Sequence, residues 1–224
     1  MRYVLLSEKK WHLPIFENLA QRNNEEWILI KDKVQFTQER IIEEQPVKIF
    51  IPHWSYIIPE EIFANFECVV FHMTDLPYGR GGSPLQNLIV RKHKETKISA
   101  VKIDEGIDTG GIYLKESLSL QGTAQEIFLR SSKIIQEMII RIIEEAPVLK
   151  PQQGTPVVFK RRGRKDGDIS ELSSTGEVYD YIRMLDCEGY PNAFLETESL
   201  RFEFSSASNN EDKSIIADVR IIKK

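Results

Sequence analysis

Short apolar runs alternate with helical patterns along the first half of the chain: "RYVLL" (2–6), "PIFENLAQR" (14–22), "EWILI" (26–30), "TQERIIEEQ" (37–45), "KIFI" (48–51), "ECVVFH" (67–72) and "ISAVKI" (98–103). Buried strands that each need a covering helix produce this alternation, so it predicts an open α/β sheet, mostly parallel, with helices on both faces. A further helix opens at Ser83-Pro84. In "TAQEIFLRSSKIIQEMIIRIIEEA", Ile127, Leu129, Ile134, Ile135, Met138, Ile139 and Ile142 follow the spacing of one long amphipathic helix, which closes a first domain over residues 1–146. "PVLKPQQGTP", rich in proline and glycine, marks a linker over 147–158. Residues 159–224 carry short alternating strands in "AFLETESLRFEFSS" and "SIIADVRII" and form a small β-rich subdomain. It is too small for independent stability, so it must pack on the sheet or on a partner.

Length changes little in this picture, since 224 residues suffice for one large domain with an appendage. Charge narrows it. Thirty Lys and Arg against 34 Asp and Glu leave a net charge of −4, which argues against a broad basic face held to nucleic acid. Cys68 and Cys187 make neither a metal spacing nor a disulfide framework, which fits a reducing, cytoplasmic home, and no metal is expected. No stretch approaches the ~20 apolar residues of a membrane span, and the N-terminal apolar run is too short for a signal peptide.

The first strand is followed by "SEKKWHLP", so neither a G-x-G-x-x-G turn nor a P-loop is present. Ligands of open α/β sheets still bind outside the carboxyl ends of the strands. There the chain reads "VVFHMTDLPYGRGGSPLQNLI": a buried strand breaks at His72 into a loop of glycines, an arginine and prolines, where packing alone would have continued one period. A second strand leads into "KIDEGIDTGGIYL", whose acidic residues form either a solvated turn or a site. Asp108 follows His72 by about one strand-helix-strand unit, so both belong at neighbouring strand ends. A carboxylate there fixes the tautomer of the imidazole and stabilises its protonated form, as general acid–base chemistry requires.

These two stretches carry a resemblance. "HMTDLPYGRGGSP" resembles H-x-S-L-L-P-x-Y-R-G-x-x-P, and "IDEGIDTGGI" resembles D-x-G-x-D-T-G-D-I, both of the formyltransferases that use 10-formyltetrahydrofolate. The resemblance implies a Rossmann-like sheet and transfer of a formyl group to a substrate amine, promoted by His72 and Asp108. It also implies an asparagine two residues before the histidine as oxyanion donor, and here that position is Val70. Losing one such donor costs about 10²–10³ in rate. Three resolutions stand open: Asn87 or a backbone N–H substitutes, protonated His72 carries the load, or the protein is a weakened folate-binding homologue.

By the same resemblance, "PHWSYIIPEE" lines the pterin pocket through His53, Trp54 and Tyr56, with Asp104, Glu105, Gly106 and Ile107 on its other side. Tyr78, Arg80, Gly81 and Gly82 lie where the loop approaches the acceptor, and the helix start at Ser83-Pro84 favours anionic groups. A plain structural turn is the alternative. The basic run Lys160 to Lys165 is followed at once by Asp166 and Asp168, which fits a local phosphate contact or a surface turn. The tail through "RRGRKDGDISELSSTGEVYDYIRMLDCEGYPNAF" resembles that of formyltransferases acting on nucleotide-linked amino sugars. The acceptor expected is therefore a UDP- or dTDP-linked 4-amino-4,6-dideoxy sugar made for surface glycans, by a cytoplasmic homodimer with neither nucleic-acid nor membrane partner. Methionyl-tRNA and glycinamide ribonucleotide are the alternative acceptors.

Overall fold

The computed structural model describes residues 1–210 and 214–224, so Glu211 and Asp212 of the acidic stretch "SNNEDKS" lie outside the described residues. The chain runs through β1 (Arg2–Ser7), α1 (Leu13–Leu19), β2 (Glu26–Ile30), α2 (Gln38–Glu44), β3 (Lys48–His53), α3 (Glu60–Phe63), β4 (Glu67–His72) and β5 (Tyr78–Gly81). It continues through α4 (Pro84–Val90), β6 (Glu95–Lys102), β7 (Ile112–Ser119), α5 (Ala124–Glu145), β8 (Val157–Phe159), α6 (Thr175–Arg183), β9 (Ala193–Glu196), β10 (Leu200–Asn209) and β11 (Ile215–Lys223).

Two compact units emerge. The first contains residues 1–81, 96–118 and 129–158 and is built on a six-stranded sheet of order β2-β1-β3-β4-β6-β7. The pairs β2-β1, β1-β3 and β3-β4 are parallel and β4-β6 is antiparallel, so the mostly parallel α/β sheet read from the alternating runs is present. Both faces of the central strands are buried, which is why these runs lack a polar period. One face carries the rings of Tyr3, Trp27, Phe50 and Phe71, each within 6.4 Å of a neighbouring ring centroid. The other packs Val4, Leu6, Ile49, Ile51 and Cys68 with Ile41 and Ile62 of α2 and α3. At about 1.5–3 kcal/mol for each large apolar side chain removed from water, these layers hold the strand ends in fixed register.

The carboxyl ends of β1, β3 and β4 lie side by side. A register shift between Leu5 and Ser7 brings Ser7 opposite His53, an irregularity of the kind that re-aims side chains at strand ends. His72 is the last residue of β4, on the same strand face as Val70.

The second unit contains residues 82–95, 119–128 and 159–224. It holds a three-stranded antiparallel sheet, β11-β10-β9, as the alternating runs of the tail predict. Within it, Gln86 of α4 donates to the Met184 carbonyl at 3.2 Å and Lys92 pairs with Asp180 of α6 at 3.0 Å.

This division corrects the expected boundaries of 1–146, 147–158 and 159–224. Helix α4 and the start of α5 partition with the tail, and residues 147–158 partition with the sheet. The reason lies in backbone pairing: Lys150 exchanges hydrogen bonds with Ile112 at 2.8 and 3.0 Å, and Val157 N–H donates to the Pro77 carbonyl at 3.1 Å. A stretch bonded at both ends is no free linker. Among the described residues no helix is long and apolar enough to cross a membrane.

Candidate functional site

His72 and Asp108 meet in the first unit. The His72 ring is buried, and its Nε2 lies 2.7 Å from the Gly79 carbonyl, which has only lone pairs to offer. Nε2 therefore carries hydrogen, and in the neutral ring the lone pair falls on Nδ1. That nitrogen lies 3.5 Å from Asp108 Oδ2. Asp108 was expected to fix the tautomer; the backbone of the loop does so instead, and the carboxylate is left facing the nitrogen that takes up a proton.

The loop is shaped for both contacts. Gly79 and Gly81 have φ of +81° and +99°, where only glycine is at ease, and this bends the chain back onto the histidine. The Gly81 N–H then donates to Asp108 Oδ2 at 2.8 Å, so it orients that carboxylate, where an acceptor contact was expected. Asp108 itself sits at φ +53°. Its loop is stiffened by Asp104, which accepts from the Gly106 N–H at 3.2 Å and from the Thr109 hydroxyl. A Cβ on Gly110 would run into the Lys102 carbonyl. Asp104 and Gly106 thus shape the loop that presents Asp108, while Glu105 and Ile107 are exposed on it.

Arg80 does not stand free beside the glycines. Its Nε and Nη2 donate to Gln152 Oε1 at 3.1 and 2.7 Å. Gln152, inside the stretch read as a linker, escaped the sequence reading because composition marks a linker without showing what its side chains touch. Tyr78 and Gln152 line a cleft of about 700 Å³ with Lys97, Lys115 and Lys150. Asp75 also lines it; burial pushes its carboxyl up, but Lys115 and Lys97 outweigh that and hold it below the usual range. A more open hollow of about 430 Å³ around Met1, Arg2 and Glu25 lies at the amino ends of β1 and β2, the wrong end of the sheet for this chemistry.

Asn87 is corrected. Its Nδ2 donates to the carbonyls of Gly82, Ser83 and Lys160 at 3.0, 3.1 and 2.9 Å, and its Oδ1 accepts from Arg91 at 2.9 Å. An amide with two hydrogens and three acceptors has none left for an oxyanion. Gly82 and Ser83 are likewise held within the second unit: the Gly82 N–H donates to Phe159 O at 3.2 Å, and Ser83 Oγ accepts from the Arg162 N–H at 3.1 Å. Val70 offers methyl groups, packed against Leu76, Val101 and Ile112.

The loop after β3 brings other residues to the strand ends. Trp54 packs against the same cluster as Ile103, which leads into the Asp104 loop, so the two sides of the expected pterin pocket share one support. Trp54 Nε1 is a buried N–H with no acceptor among the described residues. Tyr56, Ile57 and Ile107 are exposed, Ile57 to 85%. His53 lies in ring contact with Trp11 and His12. His12 is buried with Nδ1 2.7 Å from Ser7 Oγ; burial, then His53 and Lys9, lowers its pKa to about 3. Among the described residues no group of His, Cys, Asp and Glu is placed to hold a metal.

Comparison with known proteins identifies the family. A family profile for the methionyl-tRNA formyltransferase C-terminal domain matches residues 164–222. A solved structure named methionyl-tRNA formyltransferase, from Clostridium thermocellum, is 49% identical over the whole of both chains and superposes with a TM-score of 0.97. The methionyl-tRNA formyltransferase of Francisella philomiragia is 28% identical over 81% of this chain. The chain spans 61–63% of the length of such curated relatives. A 4-N formyltransferase from Francisella tularensis, 15% identical, shares the fold over 97% of this chain and 96% of its own, with a TM-score of 0.67.

Proposed function

Because the chain belongs to the formyltransferase family, we propose that it moves a formyl group from 10-formyltetrahydrofolate to an amine, with His72 and Asp108 as its catalytic pair. One observation carries this reading: with Nε2 tied to the Gly79 carbonyl, the basic nitrogen of His72 faces the Asp108 carboxylate. Bound donor supplies the formyl carbon, which exchanges its bond to the folate nitrogen for one to the acceptor nitrogen. His72 Nδ1 takes the proton that the acceptor amine must lose, and Asp108 stabilises the imidazolium so formed. Returned to the departing folate nitrogen, that proton restores the neutral ring. With Asn87 and the Gly81 N–H already engaged and His72 Nε2–H held by Gly79, the imidazolium Nδ1–H beside Asp108 is the hydrogen that can also reach the developing oxyanion before it passes to the folate nitrogen. The loop after β3 fits a flat heterocycle: Trp54 offers a buried N–H, and Tyr56, Ile57 and Ile107 offer apolar surface.

For the acceptor, the favoured reading is a UDP- or dTDP-linked 4-amino-4,6-dideoxy sugar. Its support is the net charge of −4, ill suited to a polyanion whose binding needs many neutralised phosphates. Methionyl-tRNA is the second reading, favoured by the profile over residues 164–222 and by the exposed cations of the run Lys160 to Lys165. Purified protein incubated with 10-formyltetrahydrofolate and each acceptor, followed by mass spectrometry, separates them. One formyl group gained by a single sugar supports the first; transfer to methionyl-tRNA alone replaces it. Folate binding without transfer to any acceptor would identify a homologue that no longer catalyses.

The partner that suits β11 is a second copy of this chain. Strand β11 is an edge of its sheet, and Ile216, Val219 and Ile221 on it are exposed. Its sequence "IIADVRIIK" matches itself antiparallel about Val219: Asp218 falls opposite Arg220, Ala217 opposite Ile221 and Ile216 opposite Ile222. Across the existing ladder Arg220 faces Glu203, but Arg201 already binds that carboxylate at 3.1 Å. Pairing two such edges would also cover the unpaired backbone that an exposed edge strand presents.

A further inference from the structure

Gln152 makes two kinds of bond with one amide. Its Oε1 accepts both Arg80 donors, and its Nε2 donates to the carbonyls of Asp108 and Gly110 at 2.8 and 2.9 Å. Only this amide orientation puts an acceptor toward the guanidinium and donors toward the carbonyls, so all four contacts specify one another. The side chain thereby joins β5, which presents the Gly79 carbonyl and Gly81 N–H, to the loop that presents the Asp108 carboxylate. Its backbone is secured on both sides, by the Lys150–Ile112 pairing and by Val157 on Pro77.

Asp108 needs such a hold. At φ +53° Asp108 sits in the left-handed region, which a residue with a Cβ seldom adopts and which persists where the surroundings hold it. The carboxylate is fixed at one end of the residue by the Gly81 N–H, and the carbonyl at the other end by Gln152. Without the second hold the peptide is free to relax toward negative φ, which swings the carboxylate away from His72.

We propose that Gln152 is the positioning residue of the transfer reaction, holding Asp108 at its 3.5 Å separation from His72 Nδ1 through the loop backbone and without touching either reacting group. This rests on the assignment of His72 and Asp108 as the catalytic pair. Since a displacement of about 1 Å can cost about 100-fold, Gln152→Ala lowers kcat by about 10- to 100-fold while KM for donor and acceptor stays within about threefold. Gln152→Glu, similar in volume, keeps the contact to Arg80 but turns lone pairs on the two carbonyls; it is not rescued and provides the same test should Gln152→Ala fold poorly.

A readout independent of turnover is hydrogen exchange at the Gly81 amide, whose partner is Asp108 and not Gln152. Both variants should speed it, with the thermal midpoint lowered by only a few degrees. A kcat within threefold of the parent, a loss carried by KM, or unchanged Gly81 exchange overturns the proposal. If the parent protein transfers formyl to no acceptor, the proposed function fails instead, and the exchange experiment still decides the role of Gln152.

Discussion

The Gly81 N–H donates to Asp108 Oδ2 at 2.8 Å while the same oxygen stands 3.5 Å from His72 Nδ1. The loop between histidine and glycine therefore holds both members of the pair through its backbone, with the Gly79 carbonyl on one nitrogen and the Gly81 amide on the carboxylate. Main-chain groups of this loop thus set much of the geometry in which the two side chains meet.

Replacing His72 by Ala should lower kcat by about 10²–10⁴ with donor binding retained, because it removes the group that moves the proton. Asp108→Asn should fall in the same range, since the amide cannot stabilise the imidazolium. Single-turnover transfer and equilibrium folate titration check the two parts; near-normal rates in either variant would remove that residue from its role.

Gly81→Ala tests the backbone contact. At φ +99° an alanine is strained, so the N–H turns from the carboxylate. A fall of about tenfold or more in kcat with little change in donor affinity is expected, and kinetics at saturating donor show whether it occurs.

His12 gives a pH dependence to stability. Folding lowers its pKa from 6.5 to about 3, chiefly by burial. The unfolded chain thus binds a proton that the folded chain refuses, so this residue's contribution is full above pH 6.5 and lost as pH falls toward 3, at up to ~1.4 kcal/mol per pH unit. Denaturation midpoints between pH 7 and pH 4.5 should fall less steeply in His12→Asn. Equal slopes would mean that the imidazole is protonated in the fold.

The β11 pairing is tested at its centre. Val219→Cys should yield a covalent dimer under mild oxidation, Asp218→Arg should weaken association about tenfold or more, and adding Arg220→Asp should restore it. A parent protein that is monomeric by light scattering at tens of micromolar would refute the pairing.

How far the sequence spoke depends on the range of the interactions. The runs around Val4, Ile49 and Val69 announced buried strands because apolar pattern and burial are local properties of one chain segment. His72 and Asp108 were legible because a loop that leaves the core so abruptly must serve something besides packing, and because their two stretches match one family in order. Asn87 looked free for an oxyanion, since nothing in its own segment reveals the carbonyl of Lys160 that takes its amide. Gln152 stayed silent for the same reason: its partners are contributed by stretches far away in the chain. The Trp54 N–H and the left-handed turn at Asp108 likewise follow from surroundings that no single segment encodes.

The chain enters the second unit, returns to the sheet, enters again, returns through α5 and enters a third time. Neither unit is therefore one continuous piece of gene. A recombination event that appended or exchanged everything after residue 158 would deliver β9, β10 and β11 without α4, and would leave α4 behind without the Met184 carbonyl that receives Gln86.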